Sequence, residues 1–292
     1  MAGIMWRVWE KMTSGGSEMA WGLGNSEKYG ETSGNHFPKI IMARQDSIIK
    51  LNGTIDGISF YKSKDGHLAR KAGGVSKARI ASDPAFIRTR ENGSEFGRAG
   101  SAGKVLRTAL RGLMQKASDS RVSSRLTAEM IRVVKADTTS DRGLRNVLDG
   151  EVEMLQGFEF NATGLLTGTL FAPYDVTIDR VGGAHQVALA GFVPGSAVAA
   201  PSGATHCKII AAAASIDFEL GTWDVKQAET AFLVLGPQDQ AAQTLALPLP
   251  AASTHPIVVV LGIEFVQEVN GKKYDLKNGA YNALAIAKVR GM

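Results

Sequence analysis

Residues 97–105, GRAGSAGKV, hold the glycines and the lysine of a loop that cradles phosphate. Such a loop follows the pattern G-x-x-x-x-G-K-[ST], after a buried strand and before a helix, with the last hydroxyl on magnesium. With Gly103-Lys104 as the G-K pair, Arg98 stands where the first glycine belongs and Val105 where the hydroxyl belongs. The preceding stretch also has the periodicity of a helix, so a nucleotide loop is disfavoured. Gly93, Gly97, Gly100 and Gly103, with Ala99 and Ala102 beside them, instead recur every three or four residues. On a helix that spacing predicts one side-chain-poor face suited to close approach by another backbone, of this chain or of a second copy.

Cations surround that face: Arg88, Arg90, Arg98, Lys104, Arg107 and Arg111, followed by Arg121 and Arg125. Three uses are open: a solvated surface, contact with acidic residues of a neighbour, or neutralisation of nucleic-acid phosphates. Interleaved aromatics that would stack bases are scarce, because Phe86 and Phe96 are expected in the core stripe. No helix-turn-helix, zinc-finger, RRM or KH signature is present.

Other candidate chemistry is thin. Thr205-His206 and Thr254-His255 each precede an apolar strand, and neighbouring strands could bring the two histidines and Cys207 to a metal. Two ligands and a doubtful third are too few, so a repeated turn before a strand is the simpler reading. Glu264 and Glu268 in EFVQE are expected on the solvent side of a strand, and DGEVE at 149–153 reads likewise. G-x-S-x-G and H-E-x-x-H are absent, and no nucleophile has a base near it. These patterns predict no catalytic residue, no metal and no cofactor.

The elements that must position these residues follow from charge and periodicity. With 292 residues, 44% hydrophobic and 21% charged, the chain has the composition of a folded protein with a substantial core. No apolar run reaches the roughly 18 residues of a membrane span, and the N-terminus has no signal-peptide pattern. One cysteine excludes an internal disulfide framework and fits a reducing, cytoplasmic setting, with later release in an assembled particle still compatible. The net charge of +5 conceals an asymmetry. Residues 42–146 carry 21 Lys/Arg against 10 Asp/Glu, whereas 147–292 carry 8 against 14.

Residues 1–41 hold three of the four tryptophans without periodicity and read as a poorly ordered leader or a non-native extension, with Met42 as the natural start. Residues 42–81 read as a β-ribbon arm of three strands joined by Asp56-Gly57 and Asp65-Gly66 turns, Asp-Gly being favoured where both positions need positive φ. Residues 82–157 read as a helical module, with helices over about 83–116, 119–136 and 141–156 and Ser82 or Asp83 capping before Pro84. From 158 to 292 seven or eight short apolar-alternating runs predict an antiparallel β-sandwich, and Asn270-Gly271 marks its clearest hairpin.

The runs GTIDGISFYKSKDG, RTRENGSEFGRAG and GIEFVQEVNGKKYDLKNGA resemble a family of bacterial conserved proteins of unknown function, the likeness starting near Met42. That resemblance implies no activity, cofactor or catalytic residue. The expectation is an α+β, non-enzymatic structural subunit that self-assembles into an oligomer, tube, filament or phage-like shell through its ribbon and helical face. A nucleic-acid-binding protein using the arginine-rich helices is the alternative.

Overall fold

The computed structural model describes residues 42–46, 48–71 and 73–292. The expected leader, 1–41, lies outside them. The protein is mixed α and β, in two compact units, Met1–Gly74 and Val75–Met292.

The described part of the first unit is one antiparallel sheet of four strands, not three. It comprises β1 (Met42–Arg44), β2 (Gly53–Ile55), β3 (Ile58–Ser63) and β4 (Gly66–Lys71), in the order β1-β4-β3-β2. Asp56 and Gly57 both have positive φ, as a two-residue hairpin turn requires. The second turn is shifted by one residue. Ser63 pairs with Gly66, so the loop is Lys64-Asp65, and only Gly66 takes positive φ. The extra strand is anchored by Gln45, whose side-chain amide donates to Leu68 O and whose carbonyl accepts from Leu51 N, both at 2.9 Å.

The second unit begins with α1 (Lys77–Ser82) and a 3-10 turn, Pro84–Phe86. Asp83 caps that turn, accepting from Ala85 N at 2.9 Å, with Pro84 in the first position, where no N–H is needed. Then come α2 (Ile87–Ala109), α3 (Arg111–Met114) and α4 (Val122–Ala136). In α4 the stripe Val122, Leu126, Met130, Val133 and Val134 is buried, as its 3.6-residue period requires.

The expected helix over 141–156 is not formed; the segment is turns with one 3-10 turn, Val152–Leu155. Its polar side chains compete with helical hydrogen bonding. Asn146 Oδ1 accepts from the N–H groups of Leu148 and Asp149, while Asp137 accepts from Asn146 N. Gly150 lies against the Val133 carbonyl so closely that a Cβ would sit 2.3 Å from its oxygen.

The remaining elements are α5 (Leu166–Thr169), β5 (Tyr174–Ile178), β6 (His185–Leu189), α6 (Pro194–Ala197), β7 (His206–Asp217) and β8 (Thr222–Glu229). They continue with β9 (Leu233–Val234), β10 (Gln243–Ala246), β11 (Ile257–Val269), β12 (Lys272–Asp275) and β13 (Ala283–Arg290). FEFNATGLLTGTLF, expected as a strand, is instead turns, isolated bridges and α5. Asn270 and Gly271 both take positive φ at the β11–β12 turn, as expected.

The strands form two antiparallel sheets. A large one is centred on β11 and β7, with β8 and β9 beyond β7 and β12 and β13 beyond β11; a small one runs β10-β6-β5. β7 and the first ten residues of β11 are buried almost throughout, so both their faces are covered. On one face Ile210, Ala212, Ala214, Val258 and Val260 share a core with Ala99, Leu106, Leu126 and Met130 of the helices. On the other, Ile209, Ala211, Val259 and Leu261 share a core with Val176, Val187, Leu189 and Leu245 of the small sheet. The helical and β segments, expected as separate domains, therefore form one unit, with the large sheet as its middle layer.

Candidate functional site

The glycine pattern that suggested a flat contact face is split by the fold. Gly103 is buried, and a Cβ there would meet Met130 and Leu126 of α4 at 3.7 and 3.8 Å. Ala99 and Ala102 are buried beside it. Gly93, Gly97 and Gly100 lie on another side of α2, where a Cβ would meet nothing within 4 Å. Phe96, expected in the core, is 59% exposed among them, because the buried line of α2 runs through Glu95, Ala99, Ala102, Gly103 and Leu106. The phosphate-loop reading also fails on geometry. Lys104 lies inside a continuous helix whose N–H groups are committed to helical bonds, and a 3-10 turn, not a strand, leads into that helix.

The eight expected cations divide into two groups. Three serve the fold. Arg90 Nη1 donates to the carbonyls of Ile80 at 2.7 Å and Asp83 at 3.0 Å, closing the entrance to α2. Arg98 Nη1 donates to Gly143 O at 2.6 Å and Arg145 O at 3.1 Å, holding the irregular segment against α2. Arg125 donates to Glu159 O, Phe160 O and the Asp119 carboxylate, and its guanidinium lies 5.2 Å from the Phe158 ring centroid. Asp119 feels burial, which raises its carboxyl, but the N–H groups of Ala162 and Arg121 and the Arg125 guanidinium hold it below its usual range.

The others remain at the surface. Arg88 is 3.8 Å from Glu91. Lys104, Arg111 and Arg121 are exposed, with no ion pair among the described residues. Arg107 is positioned by its own helix and by α4, Nε donating to Gly103 O at 3.1 Å and Nη1 to Ser123 Oγ at 2.7 Å. Lys104, Arg107, Thr108, Arg111, Ser118 and Ser123 line one groove of about 430 Å³ between α2–α3 and the start of α4. Recurrence at 104, 107, 108 and 111 was legible as a helical face; the contribution of Ser118 and Ser123 was not.

The metal reading is not supported. β7 and β11 are neighbours, but antiparallel pairing puts His206 beside Val266 and leaves His255 at the far end, beyond Ile257, which pairs with Ser215. Cys207 points into the core shared with the small sheet. Among the described residues no group of three His, Cys, Asp or Glu is placed to hold a metal.

The expectation of a solvent-facing Glu264 is corrected. It is buried, with Lys116 Nζ 2.9 Å and Lys208 Nζ 3.9 Å away, and Lys208 also meets Glu229 at 3.0 Å. Glu268 does face outward, paired with Lys273 at 2.9 Å. Among the described residues no helix is long and apolar enough to cross a membrane.

Comparison with protein-family models, curated proteins and solved structures finds no match.

Proposed function

We propose that the chain is a non-enzymatic structural subunit that assembles with other copies of itself, the four-stranded sheet of residues 42–71 acting as the arm. The carrying observation is that this sheet has no buried residue among those described. Pairing register puts Ala43, Ile55, Ile58, Phe60 and Ala69 on one face, with Lys62, His67 and Lys71 around them. Ile55 and Ile58 are 56% and 43% exposed. A small sheet gains stability when an apolar face is covered, at about 25 cal/mol per Å² of apolar surface removed from water. Among the described residues β1 and β2 are also its unpaired edges, where another strand can add.

A second copy fits as the cover because the charges are complementary. Residues 42–74 have six Lys/Arg against three Asp/Glu, whereas 147–292 are acidic. Gly93, Gly97 and Gly100 on α2, with Phe96 beside them, supply a second surface for close contact. In this reading the two sheets are the sandwich body of a subunit that assembles into an oligomer, tube, filament or shell. Synthesis is cytoplasmic, with release in the assembled particle.

The test is light scattering and negative-stain electron microscopy of the full chain at low and high salt. Assemblies are expected, and Phe60→Asp should disperse them while leaving the melting of the second unit unchanged. A monodisperse monomer under every condition overturns the reading.

A further inference from the structure

We infer that the groove formed by Lys104, Arg107 and Arg111 is a docking site for the phosphate backbone of duplex nucleic acid. Once Arg90, Arg98 and Arg125 are assigned to carbonyl and carboxylate partners inside the fold and Arg88 to Glu91, the cations left without a carboxylate among the described residues are Arg121 and the three of this groove. None of its three cations has a carboxylate partner among the described residues. Arg107 is held in place by Gly103 O and Ser123 Oγ, so its orientation does not have to be acquired on binding.

Spacing and chemistry both suit a repeating anion. At about 1.5 Å per residue the seven steps from Lys104 in α2 to Arg111 at the start of α3 span about 10 Å. One strand of a duplex carries a charge about every 3.4 Å, so that length faces about three phosphates. Ser123 Oγ accepts from Arg107, which leaves its own proton for a phosphate oxygen, whereas the Thr108 and Ser118 hydroxyls on the same walls already donate to Lys104 O and Met114 O.

Among the described residues no aromatic side chain lines the groove, which disfavours a mononucleotide or stacked single-strand bases and leaves the sequence-independent backbone. An acidic protein segment would bring apolar neighbours with its carboxylates. Among the described residues the only apolar one lining the groove, Met114, is already buried in the chain's own core. This site stands independently of the assembly reading.

The test is fluorescence anisotropy of the full-length protein with a short labelled duplex of random sequence, titrated between about 50 and 200 mM salt. Three phosphate contacts contribute about −2.7 to the slope of log affinity against log salt. Lys104→Gln/Arg111→Gln, at two exposed residues, should make that slope shallower by about 1.8, shrinking the salt-induced loss about twelve-fold over the range. Lys226→Gln on β8 should leave it unchanged, with identical circular dichroism in all three proteins.

Absence of duplex binding at about 50 mM salt overturns the inference, as does an unchanged slope in the double variant. An equal effect of Lys226→Gln also overturns it, showing diffuse attraction instead of a site. If the double variant keeps duplex binding and loses self-association, the groove meets carboxylates of another copy and the inference is again overturned.

Discussion

Lys116 Nζ lies 2.9 Å from Glu264 Oε1, an ion pair between residues 148 positions apart that ties the segment after α3 to β11. The basic half and the acidic half of this chain thus meet within one molecule at this point. The hydrogen bond to Glu264 raises the Lys116 amine above its ordinary value, against the opposing effect of burial.

Removing the amine leaves Glu264 buried, with Lys208 as its remaining cation at 3.9 Å. Lys116→Met should therefore destabilise the second unit by about 2 kcal/mol, measured by denaturant unfolding near neutral pH. A raised folded-state pKa gives a stabilising contribution that is complete below the unfolded value of 10.5 and fades above it. The difference between wild type and Lys116→Met should accordingly shrink in strongly alkaline buffer.

Asp137 is buried and accepts from Thr139 N, Ser140 N and Asn146 N at 2.8, 2.9 and 3.1 Å. Burial acts to raise its carboxyl, and these donors override it, holding the group well below the ordinary carboxylate range. Asp137→Ala should cost about 2–3 kcal/mol by leaving buried N–H groups unmade. A depressed pKa gives stability that is present above the unfolded value of 3.8 and lost as the pH falls below it. Wild type should lose its advantage over Asp137→Ala only below about pH 4, read from melting temperatures.

His185 in β6 is buried with neither ring nitrogen hydrogen-bonded among the described residues, and burial lowers its pKa, with Asp179 opposing and Arg180 reinforcing the shift. Below 6.5 the unfolded chain takes up a proton that the folded chain refuses, so stability should fall as the pH drops from that value toward the folded pKa. His185→Phe removes two unpaired polar atoms and that proton uptake. Melting at pH 7.5 and 5.5 should show an acid-induced drop in wild type that the variant lacks.

Cys207 is fully buried in the core between the sheets, and burial pushes its thiol up to about 12. The native protein should leave a disulfide-exchange reagent unconsumed at pH 8 and react with one equivalent on unfolding. Rapid reaction of the folded protein would contradict this packing.

Gly93, Gly97 and Gly100 have open space where a Cβ would stand, so alanine should stabilise α2 by about 0.5–1 kcal/mol at each. At about 2–4 °C per kcal/mol, the triple variant should melt several degrees higher. If this face contacts a second copy, the same variant should assemble less while being more stable alone. Gly150→Ala should destabilise, because its Cβ would run into the Val133 carbonyl.

Local chemistry was legible from residue type alone. Asp56-Gly57 and Asn270-Gly271 specify positive φ at adjacent positions, Pro84 follows a capping Asp83, and the α4 stripe repeats at the helical period. Each is settled within a few residues, so no distant partner could change it. The helix expected over 141–156 failed because its outcome was not local. Asn146, Gly143 and Gly150 take their conformation from Asp137, Glu95 and the Val133 carbonyl, and those partners are placed only when α2 and α4 pack.

Among the candidate site residues the same division holds. Sequence determined that a basic face exists and that it follows a helix. Only the tertiary structure decided that Arg90, Arg98 and Arg125 are occupied by the fold, while Lys104, Arg107 and Arg111 share a groove with Ser118 and Ser123. The layer order was not legible: the runs of β7 and β11 read only as alternating strands, and burial of both their faces is a tertiary result. Which elements cover them depends on pairing across more than a hundred residues, because a strand's own period fixes its two faces but not what packs against each.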